Sequence, residues 1–170
     1  MRYRSLRGSA PGVAARGALL VRPAALGEAG QPPVARQTLH VPRIGGAPGL
    51  EDFAGMRPAT PLAQSMARVD AFRQYKPRDG DSISQRTEVY LGYDQTHLYA
   101  VFVCFDSEPE KIRARLSRRE DTKNDDVVDL FLDTFNDQLR GYGFGVNPLG
   151  VQRDGTWIEG APDEYDESFD

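Results

Sequence analysis

The stretch from Thr87 to Phe105 constrains the fold more than any other part of the chain. Val89, Leu91 and Tyr93 alternate with Glu88, Tyr90 and Gly92, and a period of two gives one apolar face only to an extended strand. Asp94-Gln95-Thr96-His97 supplies turn chemistry, and Leu98 to Phe105 follows as a second extended run, so the whole reads as a β-hairpin. In the second run both parities are apolar: Leu98, Ala100, Phe102 and Cys104 on one, Tyr99, Val101, Val103 and Phe105 on the other. Such a run is expected to be a central strand covered on both faces.

Three further short runs extend the pattern. Ile112, Ala114 and Leu116 alternate with Arg113 and Arg115, and Val127 to Asp133 and Tyr142 to Val146 are bounded by Asn/Asp or Asn147-Pro148 turns. Several short strands joined by turns imply an all-β, antiparallel β-sandwich. No repeated strand and long amphipathic helix units suggest an α/β fold, and no internal repeat suggests a propeller or solenoid. Gly45, Gly46, Pro48 and Gly49 break any regular element between Ile44 and Phe53, a segment expected to wrap over the sheet. Leu62, Met66 and Val69 fall at helical spacing and predict a helical turn before the extended Phe72 to Pro77.

A chain of 170 residues holds one domain of ordinary size, or one domain with an unstructured extension. Residues 1–37, rich in Ala, Gly, Pro and Arg, read as a disordered or leader-like segment, and residues 38–170 as the sandwich. Met1 to Arg7 followed by small and apolar residues has the order of a signal peptide, although Arg16 divides its central part. No apolar run approaches the roughly 20 residues of a membrane helix. The net charge of −4 is unevenly spread, +6 over residues 1–50 and −10 over residues 51–170. So acidic a folded part lacks the basic stripe that phosphate neutralisation needs, which argues against a nucleic-acid partner. Cys104, the single cysteine, lies in an apolar run and reads as a buried, inert thiol.

Arg86-Thr87-Glu88-Val89, Tyr93-Asp94, Leu98-Tyr99 and then Asp125-Asp126-Val127-Val128-Asp129-Leu130-Phe131-Leu132-Asp133 follow one another in an order that resembles the family 9 carbohydrate-binding modules. Asp126, Val127-Val128, Asp129, Phe131 and Asp133 occupy that family's Asp-x-Val-Glu-x-Phe-x-Asp strand, with Asp in place of Glu. Phe72-Arg73-Gln74, Pro77-Arg78-Asp79-Gly80, Arg118-Arg119-Glu120 and Asn147-Pro148-Leu149-Gly150-Val151-Gln152 resemble a subtype found N-terminal to a region similar to a bacterial outer-membrane β-barrel. The likeness covers about residues 44–170. It implies a jelly-roll-like sandwich that lacks its closing strands, in a secreted, periplasmic or outer-membrane-associated parent with a C-terminal barrel-like region. It also implies a non-catalytic module that binds a poly- or oligosaccharide during carbohydrate catabolism. A structural domain without sugar binding and a part of a glycoside hydrolase are the alternatives.

Sugar binding needs a flat apolar platform for the C–H face of a pyranose and planar polar groups at its rim. Trp157, the only tryptophan, lies between Asp154-Gly155 and Glu159-Gly160, where a loop is expected, and Tyr142 is the second aromatic candidate. The resembling family uses a pair of tryptophans in its glucan-binding members; this chain has one. Arg118 and Arg119 either fork onto hydroxyls or pair with the acidic loop that follows. Arg86 and Glu88, at i and i+2, point to one face as a rim or as a solvated pair, and Asn147 completes the polar set.

Asp121, Asn124, Asp125 and Asp126 make an oxygen-rich cluster suited to calcium, which the resembling family often carries as a structural ion. The spacing matches no EF-hand, and a solvated acidic loop is the other reading. Asp129 and Asp133 stand at i and i+4, roughly 13 Å apart on a strand, wide for a pair of glycosidase carboxylates. No Gly-x-Ser-x-Gly or His-Glu-x-x-His motif is present, and a non-enzymatic chain is expected.

Overall fold

A computed structural model describes residues 38–159 and 165–166, so the leader-like segment 1–37 lies outside the described residues. The described chain is mostly strand, in two antiparallel sheets, and the all-β class follows. Two compact units meet in sequence between Ser107 and Glu108.

In the first unit Thr60 caps a one-turn helix, α1 (Pro61–Gln64). Its hydroxyl accepts the Ala63 N–H at 3.3 Å, and Pro61 fills the first helical position, where a missing N–H leaves nothing unpaired. The helical spacing that runs on to Val69 is not followed. Ala67–Val69 is a strand, β1, because pairing with β2 (Thr87–Tyr93) satisfies more backbone groups than another helical turn would. β2 and β3 (Leu98–Cys104) form the expected hairpin, in unbroken register from Thr87↔Cys104 to Tyr93↔Leu98. The Asp94 carboxylate ties its turn, accepting the Thr96 and His97 N–H groups at 2.8 Å each and the Tyr99 hydroxyl at 2.6 Å. These bonds, led by that of Tyr99, hold the Asp94 carboxyl far below the usual carboxylate range.

Among the described residues the sheet order is β1-β2-β3, so the central strand is β2, where β3 was expected. Five consecutive residues of β2, Glu88 to Gly92, are buried. The doubly apolar β3 reports cover above and below the sheet, with Tyr99, Val101 and Val103 buried on one face and Ala100 on the other, and cover does not require a strand at each side. Part of the cover is the segment Ile44 to Phe53, which wraps over β2 as its glycines and proline predict. Ile44 donates its N–H to the Tyr93 carbonyl at 2.8 Å and lies on Gly92, where a Cβ would stand 2.9 Å from Ile44 Cδ1. The Phe53 ring lies 5.0 Å from that of Tyr90.

The second unit is a meander of β4 (Val128–Leu132), β5 (Arg140–Val146), β6 (Gln152–Ile158) and β7 (Tyr165–Asp166), paired in chain order. β6 falls where a loop was expected, since Asp154-Gly155 looks like a turn while its neighbours have no apolar alternation. The real turn is Asn147 to Gly150: the Asn147 Oδ1 accepts the N–H groups of Leu149 (3.0 Å) and Val151 (2.9 Å), and Gly150 takes φ +87°. Ile112 to Leu116, expected as a strand, joins neither sheet. Its partners are side chains and one backbone amide instead: Asp126 accepts from and donates to Arg113, and Asp125 and Asn147 bond the Arg115 backbone. Leu116 is therefore left 82% exposed.

Candidate functional site

Residues 141–146 read Gly-Tyr-Gly-Phe-Gly-Val, and a strand sorts that alternation into two unlike faces. Tyr142, Phe144 and Val146 share one face with Val128, Leu130 and Leu132 of β4. Gly141, Gly143 and Gly145 form a strip on the other, continued on β6 by Gly155, the cross-strand partner of Gly143. Phe131 flanks the strip from β4 and is 53% exposed; Trp157 flanks it from β6, opposite Gly141, and is half-buried. With neighbouring strands about 4.8 Å apart and a two-residue offset, the two aromatic Cα atoms stand roughly 12 Å from each other across the glycines. Tyr165 is the cross-strand partner of Trp157 on β7.

One end of the strip is closed by an ion pair. Asp129 of β4 and Arg153 of β6 reach over Gly145, with Arg153 Nε 3.0 Å from Oδ1 and Nη2 2.6 Å from Oδ2. The fork is bidentate, the geometry in which a guanidinium is fixed in orientation as well as position. A Cβ on Gly145 would come within 2.8 Å of Arg153 Cγ and closer still to Asp129 Oδ1, so the pair lies down on the sheet only because Gly145 has no side chain.

The residues singled out in the sequence fall in both units. Arg86 and Glu88 belong to the first unit and do share a face. Glu88, only 5% exposed, accepts from the Tyr90 hydroxyl at 2.6 Å and Arg68 at 2.7 Å, with the Arg86 Nε 3.7 Å away. Tyr90's bond first, and then the two arginines, hold the Glu88 carboxyl below its usual value against the cost of burial. Arg86 lays its guanidinium 3.8 Å over the Phe105 ring. Glu88 is therefore an internal structural carboxylate, not a rim group.

In the second unit Arg119 pairs with Asp154 and with Glu120 (2.9 Å), which is the ion-pair reading of that residue. Arg118 is exposed and makes no hydrogen bond or ion pair through its guanidinium among the described residues. Asn147, 3% exposed, spends its whole amide inside the protein: besides the two turn bonds, Nδ2 donates to the Arg115 carbonyl at 2.9 Å and to Asp125 at 2.8 Å. It is a turn builder and cannot also hold a sugar. Tyr142 and Trp157 lie on opposite faces of the sheet, so they cannot share a platform. Phe131 and Arg153 are the members that sequence reasoning missed, with Asp129 weighed only as half of a carboxylate pair with Asp133, and the glycine alternation in β5 was the signal that would have shown them.

The acidic loop does not fit calcium as it stands. Asp125 offers Oδ2 to Asn147 and to the Arg115 N–H, and Oδ1 to Arg115 Nε at 3.1 Å; Asp126 offers Oδ2 to the Arg113 N–H at 2.8 Å. The Arg115 guanidinium reaches Asp121 as well, at 3.6 Å, a cation already seated among these oxygens. Among the described residues no three His, Cys, Asp or Glu side chains converge as a metal ion requires. Asp129 is held by Arg153, and Asp133 lies beyond the end of β4, accepting the N–H groups of Phe135 (3.1 Å) and Gln138 (2.9 Å). No helix among the described residues is long and apolar enough to cross a membrane. No family model matches the chain, and no curated protein and no solved structure matches it significantly.

Proposed function

We propose that the glycine strip of β5 and β6 is a carbohydrate-binding surface. The observation that carries this reading is the flanking of a side-chain-free strip by Phe131 and Trp157, with the Asp129–Arg153 fork across one end. A pyranose presents an apolar C–H face and a ring of hydroxyls. Aromatic walls suit the first, and a planar guanidinium–carboxylate pair suits the second.

The reading includes a β-sandwich built from antiparallel sheets of this kind and a module similar to the family 9 carbohydrate-binding modules, carried by a secreted or outer-membrane-associated parent. The motif from Asp126 to Asp133 supports it, since that motif supplies both Asp129 and Phe131 to the strip. The module performs no covalent chemistry in this account: Asp129 and Asp133, the one carboxylate pair suggested by sequence, are engaged with Arg153 and with turn amides.

A structural domain without a sugar site is the second reading. It is favoured by the internal use of Glu88, Arg119 and Asn147. Titration of Trp157 emission with soluble oligosaccharides separates the two: a saturable shift or quench supports binding at the strip, and a flat response with every sugar supports the structural reading.

A further inference from the structure

The segment Ile112 to Leu116 has an edge that its own unit does not use. An extended chain points the N–H and C=O of alternate residues to opposite sides. Those of Arg113 go to Asp126, donating at 2.8 Å and accepting at 2.8 Å; those of Arg115 go to Asp125 (3.3 Å) and from Asn147 (2.9 Å). Ala114 and Leu116 face the other way, and among the described residues their backbone groups make no hydrogen bond. The segment is thus held straight along one side by side chains that stand in for a strand, while the opposite side keeps its donors and acceptors.

We propose that this outer side receives an extended acidic peptide from a partner protein, added as a strand. The entropic cost of ordering the receiving edge is already met by Asp125, Asp126 and Asn147, and main-chain bonding at alternate residues is the usual source of affinity in strand addition. Leu116, 82% exposed, offers an apolar anchor. The sign of the partner's charge follows from the cations of the same segment. Arg118 has no carboxylate partner among the described residues, and the largely exposed Arg113 guanidinium makes only a long ion pair, with Asp126 at 4.0 Å. Both can turn toward acidic side chains on an added strand.

The test uses the full chain and a fluorescein-labelled peptide of alternating threonine and glutamate, with a threonine–lysine peptide as its counterpart. Fluorescence anisotropy is expected to show saturable binding of the glutamate peptide and binding of the lysine peptide weaker by roughly tenfold or more. Ala114→Pro removes an outward N–H that no described residue uses, and Arg113 before it is already extended, so circular dichroism is expected to be unchanged while affinity falls by a similar factor. Should that variant lose its fold, Leu116→Glu with Arg118→Glu, both on exposed side chains, is expected to give the same loss. Absence of binding, equal binding of the two peptides, or full affinity in the folded variants would overturn the proposal.

Discussion

Asp129 and Arg153 come from strands that are not neighbours, yet they form a two-bond fork over Gly145, which stands in register with both. Gly145→Ala should therefore break the fork rather than merely fill space, because the added Cβ would overlap Asp129 Oδ1 and crowd Arg153 Cγ. The far ends of both side chains can swing away, so the expected loss is about 1–2 kcal/mol, and thermal unfolding checks it. Oligosaccharide affinity should fall with it, since the end of the strip loses its fixed geometry.

The two faces of the four-stranded sheet give the sugar-binding account an internal control. Trp157→Ala and Phe131→Ala should each weaken glycan binding by roughly tenfold or more, as loss of an aromatic contact worth about 1.5 kcal/mol implies. Tyr142→Ala, on the opposite face, should leave affinity unchanged in whatever fraction remains folded, and titration calorimetry measures both.

How much of this was legible in the sequence depends on what each residue's pattern encodes. The β2–β3 hairpin was readable because strict alternation and an Asx turn coincide within one short window. The wrap from Ile44 to Phe53 was readable from its glycines and proline. β6 was not: Arg153, Asp154 and Gly155 have neither apolar alternation nor β-propensity, and the strand exists because β5 offers a register partner for every residue from Gln152 to Ile158. Ile112 to Leu116 failed in the opposite sense, an alternating pattern whose backbone was claimed by Asp125, Asp126 and Asn147, residues distant in sequence. For the site, residue type pointed to Trp157, but only register could say that Tyr142 lies behind the sheet and Phe131 in front.

Asn147 joins three stretches of chain through four side-chain hydrogen bonds. Asn147→Ala leaves the buried Val151 N–H and the Arg115 carbonyl without partners and should cost about 3 kcal/mol, read from a denaturation midpoint. Asn147→Asp keeps the acceptors but sets a carboxylate against Asp125, whose low pKa depends chiefly on the Asn147 amide. Its instability should shrink on acidification, the reverse of the behaviour of the parent protein.

Glu88 and Tyr90 set limits at both ends of the pH scale. A carboxyl held below its usual value of 4.5 in the folded state stabilises fully above that value and loses its contribution as pH falls below it. Burial and the Glu88 carboxylate push the Tyr90 hydroxyl up to about 12 from its usual 10.0, so its contribution is complete below pH 10 and disappears as pH climbs from there toward 12. Tyr90→Phe should lower stability near neutral pH and flatten both limbs of a pH–stability profile, since it removes the largest cause of the Glu88 shift and the Tyr90 hydroxyl itself.

Calcium should leave the melting temperature where it is, and so should a chelator, because the Asp121 to Asp126 oxygens are engaged by Arg113, Arg115 and Asn147. A calcium-dependent rise would mean that the loop rearranges to expel the Arg115 guanidinium.

Affinity electrophoresis of the full chain through gels containing individual polysaccharides, run beside Trp157→Ala and Tyr142→Ala, tests sugar binding at the glycine strip. Retardation on at least one polysaccharide is expected, lost in Trp157→Ala and kept in Tyr142→Ala. Migration of the folded protein unaffected by every polysaccharide, or retardation that survives Trp157→Ala, would contradict it.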